Sequence, residues 1–209
     1  MSDDDSNLVR ALRWVMDLDP ATVIEDVRKK RAAHPDEDDR RLAQRFIESC
    51  ARKGGAEGFL SGLVTNPIVM FGTAVGDVAF VLRLYAHLTA VVGFLANPNY
   101  FDDPDWKDDA LLMLAGPKAV SRLMREAGVQ LGKQGSKQII RKYLSKSVLV
   151  ALKKFVLKWF GKRVTQRMII TKVMPVVGGV IGGSWNYVEI RIVGTRIIAY
   201  HFDGQLGSE

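Results

Sequence analysis

Met174-Pro175-Val176-Val177-Gly178-Gly179-Val180-Ile181-Gly182-Gly183-Ser184-Trp185-Asn186 carries no charge, and its glycines pair four residues apart: Gly178 with Gly182, Gly179 with Gly183. Four residues is close to one helical turn, so each pair shares a face. A face without side chains lets a second helix backbone approach closely. The same spacing recurs upstream at Gly54, Gly58 and Gly62, and again at Gly72 and Gly76. A mid-helix glycine costs about 0.5–1 kcal/mol relative to alanine, so this many of them imply either a packing gain or a need for pliability. The expected fold is all-α: a single domain of packed helical hairpins with glycine-zipper contacts around residues 54–95 and 174–198.

Outward from that stretch, helical periodicity continues. Ile190, Val193, Ile197 and Ile198 predict a last helix ending near His201. The β-branched run Val188–Ile198 leaves a strand as the minority reading, but the apolar run is long for a strand and no hairpin partner lies nearby. At the other end, Leu8, Leu12, Val15 and Met16 form a helical stripe, and Asp19-Pro20 reads as a cap followed by proline in the first turn. His34-Pro35-Asp36 predicts a break, with Asp36 capping a helix that carries Leu42, Phe46 and Ile47. The organisation expected is an N-terminal helical segment over 1–50, a helical domain over 51–200 and a polar tail over 201–209.

The charge is unevenly distributed. The 209-residue chain has a net charge of +7, yet residues 1–50 hold twelve acids against nine bases. From Gly116 to Arg167, fourteen Lys and Arg stand against one acid, Glu126. Such a block points to anionic partners, lipid or nucleic acid. Within it a helix is predicted from Ser136, with Ile140, Leu144, Val148, Leu152, Phe155 and Trp159 on one stripe. The candidate lipid- or anion-binding residues are Lys142, Lys146, Lys153, Lys154, Lys158, Trp159, Lys162 and Arg163. Lysine stems lying on an anionic bilayer with aromatics at headgroup level would suit them. A solvated face over the core is the plain alternative. Nucleic acid is a weaker one, since neither a helix-turn-helix nor an aromatic stacking sheet is visible.

Gly58–Gly76 is uncharged and has the minimum length for a membrane span. Its Phe, Leu, Ile and Val favour insertion, whereas Asn66, Pro67 and four glycines oppose it, and Asp77 adds about 2.5–3.5 kcal/mol against. Both a buried hairpin and an inserted one stay open. The acidic start Met1-Ser2-Asp3-Asp4-Asp5 lacks a basic region leading into an apolar stretch, and Cys50 is the single cysteine. A cytoplasmic chain, or one on the cytoplasmic face of a membrane, is expected.

Three segments together resemble the EcsC family of bacterial proteins. They are the Gly-rich stretch closing on Gly76-Asp77, the helix Val78–Val92 with Arg83 and Tyr85, and Lys172 to Asn186 with its Lys-x-x-Pro-hydrophobic-hydrophobic-Gly pattern closing on asparagine. The resemblance covers about residues 50–200. It implies membrane association, in the neighbourhood of a transport machine, with no established activity. One departure stands out: Asn97-Pro98-Asn99-Tyr100-Phe101-Asp102 replaces the family's tyrosine-glycine-tyrosine-aspartate type of sequence. A second resemblance, to the Gly-rich helical domain of some bacterial GTPases, does not extend to the enzyme, because no Gly-x-x-x-x-Gly-Lys-Ser/Thr loop is present.

No catalytic constellation, cofactor or metal site is expected. His34, His87 and His201 share no ligand spacing, and no Gly-x-Ser-x-Gly elbow occurs. Asp77, Arg83, His87, Lys172 and Asn186 are the expected buried polar residues. Asp77 reads as paired with Lys172, Arg83 or Arg191, or more sharply as an acid of raised pKa. Arg83 and His87, one turn apart, read as ordinary helix residues or as a headgroup site. Asn186 reads as a hydrogen-bonding register pin. Asp102, Asp103, Asp105, Asp108 and Asp109 read as a solvated acidic loop that docks on the basic block, with a divalent-cation site the less favoured reading. The functional expectation is therefore a non-enzymatic, membrane-associated helical protein that binds anionic lipid surfaces through the basic amphipathic helix, with insertion of the glycine-rich hairpins, contact with a membrane transporter and self-association left open. A regulatory subunit of a transport machine, or a lipid-handling enzyme with an internal apolar pocket, is the alternative.

Overall fold

From Val78 to Leu95 the helix Pro67–Ala96 is buried except at the half-buried Phe80, Arg83, His87 and Phe94, and the fold is built by surrounding it. The structure is a computed structural model that describes residues 3–61, 67–131, 136–173 and 175–206. Side chains at 3–6, 60–61, 67–73, 167–173 and 175–182 fall outside that description. The helices in chain order are α1 (Asp3–Met16), α2 (Pro20–Ala33), α3 (Asp39–Ser61), α4 (Pro67–Ala96), α5 (Trp106–Glu126), α6 (Lys137–Tyr143), α7 (Lys146–Val173) and α8 (Pro175–Phe202). The class is all-α, a single domain, and α4 packs against α1, α2, α3, α5, α7 and α8.

The local signals explain most boundaries. Asp19 caps α2 by accepting from the amides of Ala21 and Thr22 at 3.2 and 3.1 Å, with Pro20 in the first turn. The break at His34–Asp36 is present, but the cap of α3 is Asp38, which accepts from the Arg41 amide at 2.7 Å, and not Asp36. The composition change at position 50 falls inside α3. The helix expected from Ser136 is two: α6 ends at Tyr143, and α7 begins at Lys146 after Leu144 and Ser145. Gly116 (φ 78°) followed by Pro117 divides α5 into two helical pieces. Val188–Ile198 is helical, within α8.

The closest packing joins α3 to α8, which run antiparallel. Arg40 pairs with Asp203 at one end, Ile47 packs on Gly194, Glu48 meets Tyr187 and Arg191, and Gly55 meets Gly183 at the other. At that last contact a Cβ on Gly183 would stand 2.7 Å from the carbonyl oxygen of Gly55, so the two backbones touch. A Cβ on Gly194 would lie 2.6 Å from Ile47. On Gly54 it would collide with Ile190, a flexible side chain.

Of the expected packing glycines, Gly54 and Gly183 lie in this interface and Gly58 is buried. Gly76 is a correction: it is exposed, and nothing described lies within 4 Å of where its Cβ would be. Gly62, Gly72, Gly178, Gly179 and Gly182 lie outside the residues whose surroundings are described. Gly55, Gly93 and Gly194 were not singled out by four-residue spacing, yet they do the same work. Gly183 and Gly194 stand eleven positions apart, three full turns, which also keeps them on one face.

Ala74–Ala96 is long and apolar enough to cross a membrane, but 78% of its most apolar window is buried against other helices. Its apolar surface is already used by the core.

These contacts separate two glycines that look alike in sequence. Gly183→Ala drives a methyl into the Gly55 carbonyl and should destabilise by about 1–3 kcal/mol, whereas Gly76→Ala at an exposed helical site should stabilise by about 0.5–1 kcal/mol. Urea unfolding of both variants checks this, and equal effects would contradict the packing described.

Candidate functional site

The lysines of the expected basic face are exposed, while Trp159 and Arg163 of the same set are half-buried. In α7, Val148, Leu152, Val156, Phe160 and Val164 recur every four residues and are buried. Lys146, Lys153, Lys154, Lys158 and Lys162 are exposed on the other side, with Lys142 exposed on α6. At 1.5 Å per residue, Lys146 to Lys162 extends about 24 Å. None of these six lysines is ion-paired among the described residues. Val150 and, on α6, Ile139 and Tyr143 are large exposed apolar residues beside them.

Two members of the predicted set are corrected. Trp159 is half-buried against the core with the Arg163 guanidinium over its ring at 5.0 Å. Arg163 is held by both oxygens of Glu189. Phe155 likewise lies half-buried under Arg122. The apolar half of α7 serves the core, because α4 and α5 pack on it.

The expected buried polar residues separate into two groups. Asn186 is buried and donates through Nδ2 to the Gly54 carbonyl at 3.2 Å and to Asp77 Oδ1 at 3.3 Å, tying α8 to α3 and α4 in one register. Arg83 and His87 are half-buried and have partners on α1 and α2. Arg83 donates to the Trp14 carbonyl and covers the Trp14 ring at 4.4 Å, docking α1. His87 faces Asp26 of α2 at 3.5 Å, and burial lowers its pKa. Each thus has a partner of its own on a neighbouring helix. Arg191 goes to Glu48, and Lys172 lies outside the described side chains.

Beside Asn186, α4, α7 and α8 enclose a cluster that sequence reasoning missed. Tyr85, Arg163, Glu189 and Arg196 lie within electrostatic reach of one another. Trp185 Nε1 donates to Glu189 at 3.1 Å. Tyr85 is 2% exposed, and its buried hydroxyl lies by the Glu189 carboxylate without a well-aligned hydrogen bond. Burial, together with the Glu189 charge, holds its pKa well above the ordinary value. Burial also opposes the charge on Arg163, but bidentate pairing with Glu189 more than offsets this and its pKa is raised. Arg196 has no such partner, and burial pushes its pKa down. Its guanidinium reaches to within 3.5 Å of where a Cβ on Gly116 would stand, at the bend of α5. The signals in sequence were two arginines outside any exposed stripe, and those alone do not say where the side chains meet.

A second cluster clasps the loop at 97–105. Asp109 is fully buried and accepts from Tyr200 Oη at 2.8 Å, Arg141 Nε at 3.1 Å and Tyr100 Oη at 3.2 Å. Arg141 also holds Asp103. Two of the five acids thus dock on the basic block through one arginine. Gly93 makes room for Tyr100, since a Cβ there would meet the ring at 2.5 Å. Lys137 Nζ lies 3.4 Å from His201 Nδ1, while His201 Nε2 is buried and unpartnered. Among the described residues no group of three or more His, Cys, Asp and Glu is set to hold a metal. Cys50 is buried, which pushes its thiol up to about 11.

A groove of about 730 Å³ between α3 and α8 is lined by Glu37, Arg40, Arg45, Glu48, Arg191 and Asp203 among others. It is charged, and those residues pair with one another. No family model, curated protein or solved structure matches the chain.

His201 is held neutral by burial and by the positive neighbours Lys137 and Arg141, with its pKa well below 6.5. The unfolded chain takes up that proton more readily, so stability is full above about pH 6.5 and is lost as pH falls below it. Thermal unfolding followed from pH 7.5 to 5 should show this fall. His201→Gln should remove more of it than His87→Gln, and an unchanged slope in His201→Gln would contradict the assignment.

Proposed function

We propose that this chain is a peripheral membrane protein of the EcsC type that docks on an anionic lipid surface through the lysine face of α6 and α7. The observation that carries this reading is that six lysines of α6 and α7, Lys142, Lys146, Lys153, Lys154, Lys158 and Lys162, are exposed and form no ion pair among the described residues. Unpaired cations in a row gain more from an anionic surface than from water, at about 1 kcal/mol each near the headgroups. Ile139, Tyr143 and Val150 add apolar contact at one end of the row. Because Phe160 is in the core, Trp159 packs on it and Arg122 covers Phe155, attachment is electrostatic, with lysine stems lying along the surface, and not insertion of an amphipathic helix. The inner face of a cell membrane, rich in anionic lipid, is the matching location.

A second reading rests on α8. Trp185, Val188 and Ile192 are 65%, 53% and 57% exposed and lie along one side of the helix. An apolar stripe of this kind marks contact with a protein or membrane partner, and it supports the role of a regulatory or interaction subunit at a transport machine.

Sedimentation with vesicles tests the first reading. The protein should bind vesicles containing phosphatidylglycerol and not those of phosphatidylcholine alone, and 0.5 M salt should release it, since the Debye length then falls to about 4 Å. Replacing Lys153, Lys154, Lys158 and Lys162 together by Gln should weaken binding at least about tenfold. Equal absence from both kinds of vesicle would remove the surface reading. Binding that depends on Trp185→Ser and not on the lysines would favour the second.

A further inference from the structure

The geometry points to an inclined, end-first orientation on an anionic bilayer. The end of the bundle where α3 and α7 finish and α4 and α8 begin enters the headgroup layer, with Trp185 and Phe59 as its contact side chains. This rests on the anionic-surface reading above and adds to it which part of the fold meets the lipid.

Four helix ends come together there. α3 ends at Ser61, α4 begins at Pro67, α7 ends at Val173 and α8 begins at Pro175. Next to them, Asn186 ties α8 to the Gly54 carbonyl of α3 at 3.2 Å and to Asp77 of α4 at 3.3 Å. Glu189 of α8 takes both terminal nitrogens of Arg163 on α7. Since α3 and α8 run antiparallel with Gly55 against Gly183, all four ends lie on the same side of these ties.

Charge divides the bundle along its length. No Asp or Glu occurs from Gly58 to Gly76 or from Ala127 to Val188. Between Val164 and Val188 the charged residues are Arg167 and Lys172, both cationic. Of the acids that bound these stretches, Asp77 accepts from Asn186 and Glu189 is taken up by Arg163. The opposite end carries Asp38 and Asp39 at the start of α3, Asp203 just after α8, and Asp102, Asp103 and Asp105 ahead of α5. An anionic surface thus meets cations without acids at the first end and mixed charge at the second, which orients the molecule before any side chain is buried.

The side chains described at the first end suit lipid. Trp185 is 65% exposed and Phe59 is 43% exposed. They flank Gly183: the Phe59 Cβ lies 3.3 Å from where a Cβ on that glycine would stand, and Trp185 is two residues further on. Trp185 Nε1 donates to Glu189 at 3.1 Å, so the polar edge of the indole is bonded while its ring is open. An indole in that state belongs at headgroup depth, where tryptophan concentrates in membrane proteins. The Arg163–Glu189 pair, one helical turn beyond Trp185 along α8, stays on the aqueous side and limits entry to the headgroup layer. Lys162 is exposed directly before Arg163, so the docking lysines of α7 lead up to this end.

The test places an environment-sensitive fluorophore on the full chain through Ser184→Cys, or through Thr195→Cys about 16 Å further along α8. Both positions are exposed, whereas Cys50 is buried. With the protein sedimenting on phosphatidylglycerol vesicles, the label at 184 should shift to the blue and be quenched by nitroxide-bearing lipid, while the label at 195 should stay as in buffer. Trp185→Ser should weaken vesicle binding about tenfold. A label at 184 that stays as in water on sedimented protein overturns the orientation, and so do equal responses at 184 and 195.

The orientation and the lysine reading fail separately. Binding lost on replacing Lys153, Lys154, Lys158 and Lys162, with the 184 label in water throughout, retains the lysine face and removes the end. A buried 184 label with binding that survives those replacements retains the end and removes the lysine face. Absence from the vesicles removes both.

Discussion

Gly55 and Gly183 touch backbone to backbone, and this contact sets the distance between α3 and α8 for the rest of the molecule. With the two helices this close, the amide of Asn186 reaches the Gly54 carbonyl and the Asp77 carboxylate together, so one side chain joins three helices. A slip of one residue along α8 would bury that amide without partners, at a cost of about 1–3 kcal/mol. The same closeness brings α8 against α4 and turns Ile190, Val193 and Ile197 into the core. Glycine spacing thus acts through a polar pin: proximity comes from the missing side chains, register from the hydrogen bonds.

The opposite end of α8 is secured by charge buried among aromatic rings. Asp109 sits at zero exposure because three donors, two phenols and a guanidinium, satisfy it. Arg141 is shared with Asp103, so α6, a helix of only seven residues, is fastened to the start of α5 by an ion pair and to the end of α8 by the Lys137 amide, which donates to Gly204. A helix this short does not persist on its own in water. Tertiary contacts maintain it.

Between these two fixed ends, α7 has a divided role. Its apolar side completes the core around α4 and α5, and its lysines are exposed without forming ion pairs among the described residues. A helix that has given its aromatics to the core cannot also insert them into a bilayer, which is why the proposed attachment is electrostatic. The cluster at Tyr85, Arg163, Glu189 and Arg196 lies where α7 and α8 meet, with polar groups left incompletely matched in an otherwise well-satisfied interior.

Much of the fold was legible in the residues. Helical periodicity in α1, α3, α7 and α8, the Asp19-Pro20 cap and the glycine spacing depend on neighbours within a turn or two, and those patterns define the all-α class on their own. Gly54, Gly183 and the buried Asn186 could be read in the same way, as could the exposure of lysines off the apolar stripe. Gly76 shows the limit, since its spacing matches that of a packing glycine but no described helix faces it. Which way Arg83, His87 and Arg141 turn, whether Trp159 points to water or core, and how Tyr85 comes to face Arg196 were decided only by the tertiary structure. The reason is physical: a polar side chain is placed by partners from helices distant in the chain, such as Asp109 and Tyr200 ninety-one residues apart, and no local pattern encodes which partner arrives.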